Sequence, residues 1–213
     1  MEYQPILTSL LLKLEILASV VGILFFKKHK DTYWAWFIFY LTFICIADYF
    51  SSEISAFLKI KKVSYYAYIV IPAQFIFFYW LYALKSLQNR KLFWAFILLY
   101  SISFVPVEIY FSKLNVVYSF NYTVGTLLLM ILVFLEFKKQ ILTDDILEFY
   151  RNKMFYINVG VLLFYVGNLP FFGLYNLLLK EIEIWNIYYI YYLVSNCVMY
   201  LLFATSFLWT KVK

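Results

Sequence analysis

The chain has 213 residues, of which 65% are hydrophobic, 24% aromatic and only 14% charged, and its formal net charge at pH 7 is +6. A soluble domain averages about 45–50% apolar and about 25% charged residues, so this composition excludes an ordinary soluble protein and indicates a membrane protein. The basic residues lie between apolar stretches. Their charge is therefore expected to mark topology beside anionic lipid, and not to bind nucleic acid.

Seven hydrophobic stretches follow one another along the chain, and each is long enough to cross a bilayer as a helix, for which about 20 apolar residues suffice. They cover residues 5–26, 32–58, 64–84, 92–111, 116–137, 154–179 and 184–209. The linkers are short except for residues 138–153, and no soluble domain fits between the stretches. The sequence therefore predicts an all-α integral membrane protein, built as one compact bundle of seven transmembrane helices.

The distribution of lysine and arginine predicts the orientation of this bundle, because cytoplasmic loops carry an excess of both. One side would hold most of them: Lys27, Lys28, Lys30, Lys85, Arg90, Lys91, Lys138, Lys139, Arg151, Lys153, Lys211 and Lys213. The opposite side would hold Lys59, Lys61, Lys62, Lys113 and Lys180. The N-terminus is therefore predicted outside and the C-terminus in the cytoplasm. No basic region precedes the first apolar run, so no cleavable signal peptide is expected.

In the first stretch, Glu15 lies near the midplane and shares a stripe at helical spacing with Thr8, Ser19 and Gly22. Lys13 is rotated by about 200° from Glu15 and cannot share its face. Two interpretations of Lys13 stay open. It either snorkels outward along its aliphatic stem or pairs with an acid on another helix.

The sixth stretch predicts a helix with two unlike faces. Gly160 and Gly167, seven residues apart, share one side, where a neighbouring helix could approach closely. The other side carries polar and aromatic residues: Asn158, Tyr165, Phe172 and Asn176, with Asn168 at its edge. Pro170 removes one backbone hydrogen bond near mid-membrane, which leaves a carbonyl that needs another donor. We expect this helix to be kinked and to line a cavity.

Polar residues at depth are the main candidates for function, because a charge inside a bilayer is costly and usually faces protein or a watery cavity. The candidate set is Glu15, Asp48, Gln74, Glu108, Asn168 and Asn196, with the predicted kinks Pro72, Pro106 and Pro170. One interpretation is an interhelical hydrogen-bond network, in which each contact contributes about 0.6 kcal/mol. The other is a pocket open to the outside for a small or cationic ligand, with Glu15 as a proton carrier.

The residue inventory argues against an enzyme. The one histidine, His29, is predicted at a membrane surface, so histidine clusters of membrane oxygenases and an HExxH zinc site are absent. A serine–histidine hydrolase is unsupported, and one intramembrane aspartate, Asp48, excludes an aspartyl dyad. Cys45 and Cys197 have no metal-ligand spacing. We expect no enzymatic activity, no cofactor and no metal site.

Residues 138–153 form the longest polar stretch, predicted in the cytoplasm. Asp145, followed by Glu148 three residues later, resembles a helix capping box. Ile146, Leu147 and Phe149 would then extend the sixth helix with a partly apolar surface. Two interpretations stay open: an interfacial turn lying on lipid, or a docking surface for a cytoplasmic or membrane partner.

Three stretches carry a resemblance to a known group: residues 14–50, residues 159–172 (VGVLLFYVGNLPFF) and residues 195–209 (SNCVMYLLFATSFLW). They resemble a family of small seven-helix proteins of Bacteroidetes type, whose function is unknown and whose members are often encoded near two-component sensor kinases. The resemblance implies a bacterial inner-membrane location and a signalling association. It implies no functional residue.

The leading hypothesis is a sensory or regulatory membrane protein that binds an external or lipid-phase ligand between outer helix halves. Movement of the sixth helix would pass the signal to a kinase-like partner. The alternatives are a small-solute transporter, since sugar-transporting SWEET proteins have similar length and topology, or a structural subunit of a membrane complex. Pro72 in the third helix and Pro170 in the sixth break the repeat that a SWEET fold requires. Expected partners are the lipid bilayer, a signalling protein and further copies of the chain.

Overall fold

A computed structural model of the protein describes residues 3–105, 117–143, 146–174, 178 and 180–208, with side chains of the fifth predicted helix described from residue 120. Within these ranges every regular element is a helix and no strand is present. Several residues named above lie outside them: Pro106, Glu108, Lys113, Asp145, Asn176, Lys211 and Lys213.

Nine helices are described. They are α1 (Tyr3–Leu24), α2 (Phe26–His29), α3 (Trp34–Tyr49), α4 (Ser51–Phe57), α5 (Lys62–Ser86), α6 (Arg90–Ile102), α7 (Val117–Leu142), α8 (Lys153–Gly173) and α9 (Ile182–Leu208). Two of them contain π-helical turns, at Tyr66–Val70 and Trp80–Ser86 in α5 and at Leu162–Val166 in α8. A short 3-10 turn, Phe149–Arg151, precedes α8.

Five of these helices, α1, α5, α7, α8 and α9, are long and apolar enough to cross a membrane, and α3 with α4 makes a sixth if the bent pair is one span. The prediction of an all-α, multi-pass membrane protein is thereby confirmed. The fourth predicted span begins as α6 and is described only as far as Val105.

A sharp bend separates α3 from α4, whereas the sequence predicts one helix over residues 32–58. The two axes differ by 76°, and Phe50 between them has φ −97° and ψ 20°. Ser51 and Ser52 follow it, and serine pairs are a common site of helix kinks. The chain resumes a helix at once, since the Ile54 amide donates to the Phe50 carbonyl over 2.9 Å. Asp48 therefore lies in the last turn of α3, next to the bend.

Six helical segments form a closed ring. Helix α1 packs against α3 and α9, α9 against α8, α8 against α7, and α7 against α5. Aromatic side chains complete the ring between α5 and α3, where Phe77 stacks on Tyr40 with 4.1 Å between ring centroids. Helix α6 packs on the outside of α5 and α7.

Aromatic rings fill the centre of this ring of helices. Phe78 of α5 is fully buried and meets Tyr40 of α3 at 5.3 Å, Tyr165 of α8 at 5.6 Å and Phe203 of α9 at 6.4 Å between centroids. Four helices therefore meet at one side chain. The interior of the bundle is a packed aromatic core.

The predicted close approach at the glycines of α8 is confirmed, and the approaching helix is α9. A Cβ added at Gly160 would lie 3.3 Å from Cγ of Met199 and 3.3 Å from the Phe203 ring. A Cβ at Gly167 would overlap the hydroxyl of Tyr191. That hydroxyl donates to the Leu163 carbonyl over 3.2 Å. The absence of a side chain at Gly160 and Gly167 therefore leaves room for side chains of α9.

Candidate functional site

Two of the predicted intramembrane acids, Glu15 and Asp48, come together from different helices. Glu15 is only 4% exposed and shares the buried stripe of α1 with Ala18, Ser19 and Gly22. Its carboxyl and that of Asp48 are neighbours across the two helices. The structure thus forms a carboxyl pair between α1 and the end of α3.

Tyrosines and one lysine surround this pair. The Tyr200 hydroxyl of α9 lies beside Glu15, and the Tyr66 hydroxyl, in the first π-helical turn of α5, lies beside Asp48. The exposed Lys62, at the start of α5, attracts Asp48 electrostatically. One carboxyl oxygen of Asp48, Oδ1, is buried and has no hydrogen-bond donor among the described residues. The pair therefore retains an oxygen that can accept another hydrogen bond.

The other predicted site residues form separate contacts. Oε1 of Gln74 accepts a hydrogen bond from the Tyr165 hydroxyl over 3.3 Å. The fully buried Asn168 donates from Nδ2 to the Phe164 carbonyl over 2.6 Å and to Oγ of Ser195 over 2.9 Å. Asn196 is buried on α9, one turn from Tyr200, and no described residue donates to its Oδ1. The described residues of the predicted set therefore lie in several contacts and not around one cavity.

Backbone irregularities precede both described intramembrane prolines. Pro72 lies two residues after the π-helical turn Tyr66–Val70, and Pro170 follows Asn168, whose φ of −91° and ψ of 0° interrupt α8. Two side chains donate to backbone carbonyls in the π-helical region before Pro170: Tyr191 to Leu163, and Asn168 to Phe164. The kinks at Pro72 and Pro170 stay predictions.

Two surface depressions accompany the bundle. One is lined by Pro5, Ile6, Ser9, Leu10 and Lys13, and the other by Leu84, Lys85, Gln88, Arg90, Phe93 and Trp94. Neither reaches Glu15 or Asp48. Glu15 is buried and Asp48 is half-buried, so the pair lies where the packed interior meets the end of α3.

A second buried polar group, which the sequence did not indicate, joins α7 to the end of α5. Glu136 is 1% exposed and accepts hydrogen bonds from Oγ of Ser86 over 2.6 Å and from Nε2 of Gln140 over 3.1 Å. Lys139 donates to the Ser86 carbonyl over 2.9 Å and to its Oγ over 3.0 Å. The signal available in the sequence was the spacing of Glu136, Lys139 and Gln140, which places all three on one side of a helix.

His29, predicted at a membrane surface, is completely buried at the end of α2. Its ring meets Phe207 of α9 with 5.7 Å between centroids, and neither ring nitrogen has a hydrogen-bond partner among the described residues. Burial lowers the pKa of His29 from 6.5 to about 4, with repulsion from Lys153 and Lys28 acting in the same direction. The imidazole is therefore neutral at pH 7.

The depressed pKa predicts how stability depends on pH. Between pH 6.5 and about 4 the unfolded chain binds a proton at His29 that the folded chain does not bind, so stability falls as pH falls through this window. We expect His29→Leu to lose less stability than wild type across this window. Unfolding in mixed micelles at a series of pH values measures it, with the exposed Lys30→Leu as control. Equal slopes for wild type and His29→Leu would contradict the prediction.

The prediction that the docking residues extend the sixth helix is wrong, since α8 begins at Lys153 and these residues lie in the turn before it. Leu147 is 72% exposed and Phe149 47% exposed, whereas Ile146 is half-buried. Phe149 packs on Phe155 with 5.2 Å between ring centroids. These residues form an apolar surface next to the first turn of α8.

Comparisons with protein-family models, with curated proteins and with solved structures found no match for this chain. The resemblance to Bacteroidetes-type seven-helix proteins therefore stays a prediction. Function has to be argued from the residues of the site itself.

Proposed function

We propose that this multi-pass membrane protein is a sensory or regulatory protein that responds to protons at the Glu15–Asp48 pair. We further propose that the protein lies in a bacterial inner membrane with seven transmembrane helices, an external N-terminus and a cytoplasmic C-terminus. The observation that carries it is the contact between two carboxyl groups from different helices inside the bundle.

The proton is the ligand that best fits this pair. Two adjacent carboxylates repel each other, and a proton shared between them removes that repulsion. The pair lines neither of the two surface depressions described above. Proton binding changes the charge of a contact between α1 and α3, and thereby favours one arrangement of these helices over another.

The neighbours of the pair suggest how the change spreads. Asp48 adjoins the bend at Phe50, and its neighbour Tyr66 lies in a π-helical turn, a feature frequent at functional sites. Tyr165, in the π-helical turn of α8, lies beside Tyr40 of α3, the helix whose last turn carries Asp48. Helix α8 begins directly after the exposed apolar turn. A change at the pair can therefore reach a cytoplasmic surface through α8.

The packed centre supports regulation over transport. A solute pathway needs a gap between helices, whereas Phe78 and Phe203 fill the centre and are fully buried. A SWEET-like transporter would require these rings to separate. Uptake of a solute panel by proteoliposomes tests that alternative directly.

Infrared difference spectroscopy tests the proton site. The full-length protein in nanodiscs is expected to show a pH-dependent carboxyl band that Glu15→Gln removes and Asp48→Asn shifts or removes. Glu53→Gln is the matched control, because Glu53 is exposed at the start of α4. A carboxyl spectrum that neither Glu15→Gln nor Asp48→Asn changes would refute proton binding at this pair.

A second measurement separates a responding site from a static hydrogen-bond network. A spin label at Leu147→Cys, with Cys45 and Cys197 replaced by alanine, reports on the turn before α8. Its mobility is expected to change with pH in the wild-type background and to become independent of pH with Glu15→Gln. A label that never responds, together with an intact carboxyl band, would mean that the pair only holds α1 against α3.

A further inference from the structure

Lys13 has an unusual position on α1. It lies near the middle of the helix, roughly 15 Å from its first residue at 1.5 Å per residue, and its side chain is exposed. Glu15 and the buried stripe of α1 face the bundle, so Lys13 points away from the core. Its four-carbon stem covers less than half of the distance to the end of the helix.

An apolar row surrounds Lys13. Helix α1 is the least covered of the five long spans, with 22% of its apolar window buried, against 44–50% in the others. Its exposed side carries residues spaced alternately by four and three, which is the spacing of a helix–helix seam: Ile6, Leu10, Lys13, Leu17, Val20 and Leu24. We call this row the α1 seam. The depression lined by Pro5, Ile6, Ser9, Leu10 and Lys13 lies along its outer half.

No acid of the described chain neutralises Lys13. The ion pair found within the described ranges joins Arg151 to Glu148. The exposed acids in these ranges lie at helix ends or in linkers: Asp31, Glu53, Glu148, Glu181 and Glu183. A charge in the hydrocarbon region is costly unless it is paired. A carboxylate placed opposite Lys13 would therefore stabilise the α1 seam.

We propose that the α1 seam binds one transmembrane helix of a different protein, which carries an aspartate or glutamate opposite Lys13. The complementary charge would fix the depth and the identity of the partner, as a polar residue does in a coiled-coil seam.

A second copy of this chain does not fit the same seam. Two copies with the same orientation would place Lys13 of each at equal depth across a two-fold axis, where like charges repel. The partner is therefore a membrane protein with an intramembrane acid. This inference does not depend on proton binding at Glu15 and Asp48, and its failure would leave that proposal standing.

Photo-cross-linking in the native host tests the α1 seam. Benzoylphenylalanine replaces Leu10 or Leu17 on the seam of the full-length chain, and Phe134, exposed on α7, serves as the control position. Both seam positions are expected to give an adduct with one other membrane protein, through a helix that contains Asp or Glu, and the control position is expected to give none.

Charge variants complete the test. Lys13→Leu is expected to lower the adduct yield by about tenfold or more, since it leaves the partner's acid unpaired in the membrane, whereas Lys13→Arg retains it. Lys13→Glu should abolish the adduct, and exchanging the partner's acid for lysine should restore it. Size-exclusion chromatography checks that each variant folds. Adducts with lipid alone, with a second copy, or with a helix lacking an acid would overturn the proposal. An adduct yield that Lys13→Leu leaves unchanged would also overturn it.

Discussion

Replacing Phe78 by alanine is expected to destabilise the bundle by about 3 kcal/mol, the lower end of the usual cost for a buried phenylalanine. Phe78 is fully buried and its ring meets rings from α3, α8 and α9. In lipid the loss comes from van der Waals packing and not from transfer out of water, because lipid tails are as apolar as the core. The residual cavity would lie where four helices meet, so no single side chain can fill it.

Unfolding by steric trapping or by denaturing detergent measures this loss. Phe134→Ala is the matched control, since it makes the same chemical change at a ring that is 55% exposed on α7. We expect the control to change stability by less than about 1 kcal/mol. Equal losses for the two variants would mean that the aromatic centre does not hold the helices together.

Glu136→Ala is expected to cost about 3 kcal/mol, because it breaks a buried hydrogen-bonded group. The Ser86 hydroxyl and the Gln140 amide would lose their acceptor, and Lys139, which donates to Ser86, would lose its nearby carboxyl group. Glu136→Gln should cost less, since one amide oxygen can still accept from Ser86 while the amide nitrogen faces the donor of Gln140.

The same unfolding measurement, with hydrogen exchange at the end of α5, tests the Glu136 group. Glu148→Ala is the control, because Glu148 pairs with Arg151 on the surface with its side chain 63% exposed, and such pairs contribute little. Exchange is expected to accelerate near Ser86 in Glu136→Ala and to stay unchanged in the control. A Glu136→Ala variant as stable as wild type would show that the group has no role in holding α5 to α7.

Hydrophobic runs were sufficient to predict the helices, because an element that crosses a bilayer must be long and continuously apolar. They were insufficient for the bend at Phe50, since residues 32–58 contain no proline or glycine to mark a break in the helix. The fifth helix was predicted to end at residue 137 before two lysines, whereas α7 continues to Leu142. Lysine marks a membrane surface, and a helix can extend beyond it.

The sequence predicted which acids lie within the membrane, but it did not predict which side chains contact them. Glu15 and Asp48 were found because an acid within an apolar run is rare. Their contact depends on how α1 packs against α3, and no pattern within either helix contains that information. The burial of His29 has the same origin, since it requires Phe207 of the last helix to cover the end of α2.

The contact between α1 and α9 also has a consequence for biogenesis. Helix α1, which carries Glu15, leaves the translocon before α9, and Tyr200, the neighbour of Glu15 on α9, is synthesised roughly 10–40 s later at about 5–20 residues per second. Asp48 arrives early, but the ring of helices cannot close before α9 inserts. A nascent chain that stalls before α9 keeps the Glu15 side of α1 partly uncovered, so membrane quality control can distinguish the unfinished product from the finished one.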